Sequence, residues 1–401
     1  MNGSVDNSSE RSPISPEFPL VSILFLMILF FFNFLPRVIL APLMVTVEQD
    51  LHLGHDDAGT FFLLISSGYC IGVLLSGFLS SRISHHKTIV IANCAVGCVL
   101  LLISTSNSLI LMKFELFLLG IAAGPYFPSG IATIPTLVSS NHQGKAISIH
   151  ELAVSLSFVS APIIAELFLR TWTWRDLLAS IGVFAILLSI FFLMFGKGGR
   201  NRGEAPSLKN IRLLIRDRSF QIMAFLFVLG MGSGIGLYTM MPLYLVSERF
   251  FERGWANALV SLSRVPGLLT VLVAGFALDR LGIKKTLIVV LSLAGILTIS
   301  LGTVPNQAVA TVLFLQYMVS VCFFPAGWMA ISRLGNPCAR NIAIQLAVPI
   351  AYIFGAGFLP AGIGFAGEYS SFSLAIVFFG VLMIVGGILS KFLVVTEHIP
   401  S

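Results

Sequence analysis

Arg37 and Arg264 each stand inside a long run of apolar residues. A charge inside such a run costs several kcal/mol in a membrane unless it faces a cavity or a partner, so these two positions carry the most chemical content in the chain. Each lies about 15 to 18 residues from one end of its run, or roughly 22–27 Å along a helix, which puts the two at a similar depth. A guanidinium offers forked N–H donors that match carboxylate or phosphate oxygens. Two of them facing one cavity would attract an anion. The competing reading ties each to a helix carbonyl or an acid as structural glue. Asn33 stands four residues before Arg37, on the same helical face, and Tyr126 and Tyr238 are candidate hydrogen-bond donors. These five residues form the candidate substrate-binding set.

Glu151 follows His150 about six residues into its apolar run. Histidine titrates near neutrality and a buried carboxyl moves toward it, so the two are candidates for proton coupling. Neighbours on a helix point about 100° apart, which predicts that they do not both face one spot. Glu166 precedes Arg170 by four residues, the spacing of a surface ion pair. Lys113, with Glu115 nearby, reads as an anchor at the membrane boundary.

The elements that must position these groups follow from composition. Hydrophobic residues make up 56% of 401 positions and charged residues 10%, against about 25% charged in soluble domains. The chain is therefore predicted to be a polytopic membrane protein, and its net charge of +6 reflects topology rather than a nucleic-acid partner. Spans of about 20 apolar residues predict twelve helices. They run over 19–46, 58–80, 88–105, 109–138, 145–169, 177–196, 220–246, 256–279, 286–304, 308–332, 342–365 and 371–393. Residues 1–18 and 394–401 are polar tails, and 197–219 is a basic linker between two halves, 19–196 and 220–393, with an amphipathic stretch at 208–215.

Seventeen Lys and Arg fall in the two tails, the linker and the other even-numbered loops, whereas the odd-numbered loops hold only Arg170, Arg175, Arg249 and Arg253. That bias puts both termini in the cytoplasm. The first odd-numbered loop is instead read as acidic, with Glu48, Asp50, Asp56 and Asp57. The five cysteines imply no disulfide framework.

The two halves repeat. Pro42, Gly77, Phe127-Pro128-Ser129-Gly130 and Pro162 align with Pro242, Gly275, Phe324-Pro325-Ala326-Gly327 and Pro360 at offsets of 200, 198, 197 and 198. Four pairs in register imply the duplication of a six-helix unit, although Leu237 and Ser66, the counterparts of Arg37 and Arg264, are uncharged. Between the eighth and ninth spans stands Gly275-Phe276-Ala277-Leu278-Asp279-Arg280-Leu281-Gly282-Ile283-Lys284-Lys285. This pattern resembles the signature loop of the major facilitator superfamily of secondary transporters, which recurs between the second and third helices of each half.

The resemblance implies an all-α membrane fold of two pseudo-symmetric six-helix bundles around a central cavity lined by the first and eighth helices, among others. It also implies that Gly77, Arg82, Gly275, Asp279, Arg280 and Gly282 belong to gating loops on the cytoplasmic side. The first loop departs from the pattern: Ser81 replaces the acid, Ser84 a glycine, and His85-His86-Lys87 the basic cluster. Leu116 stands where proton-driven drug exporters of the family carry an arginine, and Ala161-Pro162 replaces their glycine-rich motif. Both absences weigh against a multidrug antiporter.

The expected function is alternating-access transport of a small organic or inorganic anion across a bacterial inner membrane, by proton coupling or anion exchange. Export of a sugar or amphipathic compound is the alternative, and a transporter-like sensor a more remote one. The chain shows no catalytic constellation, metal-ligand motif or nucleotide loop. It is expected to be a monomer without enzymatic activity or cofactor, partnered by its substrate and the lipid bilayer.

Overall fold

The computed structural model describes residues 19–203, 216–267, 270, 278, 280–333 and 346–394. Eleven helices among them are long and apolar enough to cross a membrane. In the first half these are α1 (Leu20–Leu51), α2 (His55–Ile83), α3 (His85–Thr105), α4 (Leu109–Thr136), α5 (Ser140–Phe168) and α6 (Trp174–Phe195). The second half contributes the other five, α7 (Arg218–Ser247), α9 (Ile283–Thr303), α10 (Asn306–Ser332), α11 (Leu346–Tyr369) and α12 (Phe372–Phe392), and between α7 and α9 stands the shorter α8 (Arg253–Arg264). For α8, 12 residues are described, and part of the remaining predicted span lies outside the described residues. Gly275, Asp279 and the amphipathic stretch at 208–215 also lie outside them.

Helices α1 and α2 run further than hydropathy alone predicts, leaving only residues 52–54 between them. Glu48, Asp50, Asp56 and Asp57 are therefore helical rather than parts of an acidic loop. Asp50 is held by Trp174 Nε1 (3.0 Å) and Arg175 (2.7 Å), and Asp57 by Lys113 Nζ (2.6 Å). Lys113 is thus anchored by Asp57 rather than by Glu115.

The duplication is visible in the packing. Helix α3 lies along α6 as α9 lies along α12, α1 along α5 as α7 along α11, and α2 along α4 as α8 along α10. The repeated prolines break their helices at corresponding places. Helix α4 is interrupted at Gly124–Pro125 and α10 at Val321–Cys322, four residues before Pro128 and Pro325 in each case. Proline has no N–H for the carbonyl four residues back, and its ring crowds that carbonyl, so the break falls one turn ahead of the Phe-Pro motif rather than within it.

The halves meet through α2 with α11, α5 with α8 and α1 with α7. The end of the bundle holding residues 52–54 is called distal here, and the opposite end, where the chain leaves α6, the linker end. At the distal end the contact is backbone against backbone. A methyl group added at Gly59 would sit 2.6 Å from the Pro360 carbonyl oxygen, and one at Gly364 would collide with the carbonyl of His55.

At the linker end the two hinges correspond residue for residue. Gly282 adopts φ 77°, and Ser84, at the same place in the first half, φ 117°. The first hinge keeps the glycine conformation without the glycine. Residues following α6 lie along this hinge: His86 N donates to Gly199 O (2.7 Å), His85 N to Asn201 O (3.2 Å) and Gly203 N to Ser80 O (3.1 Å). Arg82 and Arg280 are exposed.

Candidate substrate site

Arg37 is 5% exposed. Its guanidinium lies 4.3 Å from the Phe34 ring, 4.2 Å from Tyr69 and 5.4 Å from Tyr352, and Nη1 donates to the Tyr352 hydroxyl at 3.1 Å. Tyr352 belongs to the opposite half. The Nε of Arg37 is buried with no hydrogen-bond partner among the described residues. The guanidinium borders a small void with Ser66, Thr239 and Tyr352.

Arg264 is 6% exposed and sits in a second aromatic cage. Its guanidinium is 3.9 Å from Tyr317, 4.3 Å from Tyr238 and 4.7 Å from Phe158, the last again from the opposite half. Nη1 donates to Gly234 O at 2.8 Å. The glycine-rich stretch of α7 explains that acceptor. Gly232–Gly236 forms a wide π-type turn, which shifts the regular hydrogen-bond ladder and presents the Gly234 carbonyl to Arg264. Arg264 borders a second small void with Ser233, Tyr238, Ser263, Gln316 and Tyr317.

The two cages touch. Phe34 and Phe158 are 5.4 Å apart, so legs of 4.3, 5.4 and 4.7 Å connect the guanidiniums, which lie no more than about 14 Å from each other. They border two voids, not one, and α7 contributes a wall to both. Neither guanidinium is within ion-pair distance of a described carboxylate. Tyr238 donates its hydroxyl to Phe158 O (3.1 Å) and lines the second void.

Asn33 and Tyr126 are placed elsewhere. Asn33 turns away from Arg37 to bond Asn93 on α3 (2.9 Å), and Tyr126 gives its hydroxyl proton to Leu26 O (2.7 Å). Neither borders these voids.

His150 is fully buried, stacked 4.6 Å from Phe30. Its Nε2 lies 3.3 Å from the Tyr126 hydroxyl and its Nδ1 3.4 Å from Glu151 Oε1. The sequence expectation that these neighbours face different spots does not hold, because the Glu151 side chain folds back onto the imidazole. The Glu151 side chain is 41% exposed.

Sequence reasoning also missed a cluster across the distal seam. Glu166 does not pair with Arg170 in the structure. Its carboxylate accepts from Asn257 Nδ2 (2.6 Å) and lies 3.2 Å from Arg253 Nε. Asn257 also donates to Pro42 O, and Arg253 to Thr46 (3.0 Å). Nearby, Glu368 accepts from the backbone N–H of His55 (2.8 Å), whose ring meets Glu48 at 3.0 Å. The sequence signal for Asn257 was available: it is an amide near the start of the predicted span 256–279, and the structure buries it fully.

Residues 26–347 match the family described as Major Facilitator Superfamily, and the chain belongs to that superfamily. Among curated relatives, "Protein TsgA homolog" of Buchnera aphidicola subsp. Acyrthosiphon pisum is 22% identical over 213 residues, 52% of this chain. The chain spans about half the length of that relative, 53%. "Probable 4-methylmuconolactone transporter" of Cupriavidus pinatubonensis is 24% identical over 350 residues, covering 81% of this chain and 80% of that protein. In fold, the chain is similar to the crystal structure of a bacterial homolog to the human lysosomal transporter Spinster in an inward-facing and occupied conformation. The TM-score is 0.80 at 12% identity, over 94% of this chain and 97% of the other.

Proposed function

We propose that this protein is a secondary transporter that carries a small anion across the cytoplasmic membrane by alternating access, with both termini cytoplasmic and the distal end outside. The observation that carries the reading is the pair of caged arginines. Each is buried among rings from both halves and lacks a carboxylate partner among the described residues. Three cation–π contacts of up to about 2 kcal/mol each and one hydrogen bond offset much of the cost of burying each guanidinium, but rings, hydroxyls and carbonyls bring no negative charge to balance it. The site is therefore short of negative charge, and an anionic cargo supplies it. The transporter named among the relatives supports transport of a small organic compound.

Proton coupling is the energy source favoured by the His150 geometry. The Tyr126 hydroxyl proton is spent on Leu26 O, so its oxygen accepts from His150, which assigns a proton to Nε2. The Nδ1 lone pair would then face the Glu151 carboxylate at 3.4 Å. This contact between the two side chains is the geometry on which the coupling role is proposed.

The test is thermal stabilisation of the purified chain by small anions, sugars and cationic dyes, since binding to the folded state raises Tm by mass action. An anion that stabilises the wild type and neither Arg37→Gln nor Arg264→Gln is the expected result. Stabilisation by neutral or cationic compounds, unchanged in both variants, overturns the anion reading and favours export of a sugar or amphipathic compound. For coupling, Glu151→Gln is expected to retain anion exchange in proteoliposomes while losing uptake driven by a pH gradient. Equal pH-driven uptake by this variant overturns the assignment.

A further inference from the structure

The void beside Arg264 contains a polar group that the anion reading does not use. Gln316 of α10 is 2% exposed. Its Nε2 lies 2.9 Å from Ser233 Oγ, 3.0 Å from Ser320 Oγ and 3.2 Å from Thr298 Oγ1, and the two serine hydroxyls are 2.6 Å apart. Thr298 gives its own proton to Ala294 O at 2.8 Å, so toward Gln316 it can only accept. That fixes the amide with nitrogen toward the cluster and its oxygen elsewhere.

Counting protons then shows what is left over. One amide proton goes to Thr298 and the other to one serine. One serine hydroxyl donates to the other, and the second hydroxyl proton has no acceptor among the described residues. The Gln316 carbonyl oxygen likewise receives no hydrogen bond from a described residue. Buried amides and hydroxyls in membrane helices often serve only as glue between helices, but glue consumes its donors and acceptors. This cluster keeps one O–H and one C=O unspent, on a network whose Ser233 and Gln316 line the void. An alcohol, which both donates and accepts, is the complement of that pair.

The cluster is wired to the guanidinium. Ser233 precedes Gly234, whose carbonyl Arg264 grips at 2.8 Å, and Gln316 precedes Tyr317, whose ring lies 3.9 Å from the same guanidinium. The remaining walls are aliphatic, including Leu237, Val260 and Leu313. The space now open between these walls takes about one water molecule, and a small acid enters as the walls part. We infer that this void is a specificity subsite for a small hydroxycarboxylate, with Arg264 taking the carboxylate and the Gln316–Ser233–Ser320 cluster taking the hydroxyl. The inference rests on the anion reading and narrows its substrate class.

The test uses the full-length purified chain and pairs of acids that differ by one hydroxyl: lactate with propionate, 3-hydroxybutyrate with butyrate, and malate with succinate. Kd is measured by calorimetry for the wild type, Arg264→Gln, Gln316→Leu and Ser320→Ala. A site built to hydrogen-bond a ligand hydroxyl rejects the analogue lacking it, so the wild type is expected to prefer one hydroxylated member by tenfold or more. Gln316→Leu is expected to reduce that ratio to about one by weakening only the hydroxylated ligand, and Arg264→Gln to weaken both. Ser320→Ala keeps the test open if Gln316→Leu fails to fold, and is expected to lower the ratio as well. Equal affinity within every pair, or equal weakening of both members by the cluster variants, overturns the inference and leaves the anion reading standing. Failure of every carboxylate to bind overturns both.

Discussion

Replacing Glu166 tests whether the distal seam is held shut by side chains. The Glu166 carboxylate accepts a 2.6 Å hydrogen bond from fully buried Asn257 and lies 3.2 Å from Arg253. A hydrogen bond to a charged group contributes about 1.5–3 kcal/mol. The ion pair, with side chains 34% and 22% exposed, is screened and adds about 0.2–1 kcal/mol. Glu166→Ala should therefore shift the balance between distal-closed and distal-open states by about 2–3 kcal/mol, or roughly thirty- to a hundredfold at 1.4 kcal/mol per decade. Glu166→Gln keeps an acceptor for Asn257 and loses the charge, so its shift should be smaller, about tenfold. The assay places a cysteine at Ser66, which is 4% exposed and borders the Arg37 void, in a chain whose native cysteines are replaced. Labelling by a membrane-impermeant maleimide added from the distal side then reports opening. The expected order of rates is Ala above Gln above wild type. Unchanged labelling in Glu166→Ala would refute the reasoning, because the seam would then be held by something other than this cluster.

Three further outcomes are expected. Ser84→Gly should raise Tm, because φ 117° costs a non-glycine residue about 1–3 kcal/mol, whereas losing the Ser84 cap of α3 costs only a few tenths of a kcal/mol when glycine replaces it; a lower Tm contradicts the strain argument. Gly59→Val should wedge the seam open, since even a Cβ would lie 2.6 Å from Pro360 O, and Ser66 labelling should rise without any change at the arginines. Glu252 caps α8 by accepting from Gly254 N and Trp255 N, which holds its carboxyl below the ordinary value of 4.5. A depressed carboxylate stabilises the fold above its unfolded pKa and loses that contribution as pH falls through the folded one. The Tm gap between wild type and Glu252→Gln should accordingly be full at neutral pH and close on acidification, and a gap independent of pH removes the charge from the cap.

What the chain discloses about itself divides along a physical line. The spans were legible because lipid imposes one condition on every residue of a helix, and α3, α6 and α12 begin and end within a few residues of their apolar runs. The hinge at Gly282 was legible from glycine and charge. Arg37 and Arg264 stood out because a buried charge is costly wherever it lies. Their cages did not: Tyr352 is 315 residues from Arg37, and nothing local marks the pair. Glu166 shows how a local rule can mislead. The spacing to Arg170 satisfied the helix-surface pattern, yet Arg253 and Asn257 from the opposite half offered the carboxylate a hydrogen bond and an ion pair at once. Asn33 fits the same account, since helical spacing to Arg37 says nothing of Asn93 across the interface with α3.

The glycines at the distal seam have a mechanical consequence. Where two halves meet through side chains, rotamers yield and the closed position is soft. Here Gly59 meets the backbone of Pro360 and Ala361, and Gly364 meets that of His55, and peptide backbone in a helix hardly deforms. Such a contact works as a doorstop: it defines a single angle of closure and resists any attempt to go past it. The Glu166 cluster then has only to hold the door against a stop that is already fixed. Positional accuracy and holding strength reside in different residues, so substitutions at the glycines should change where the closed state lies, and substitutions at Glu166 should change how often it is occupied.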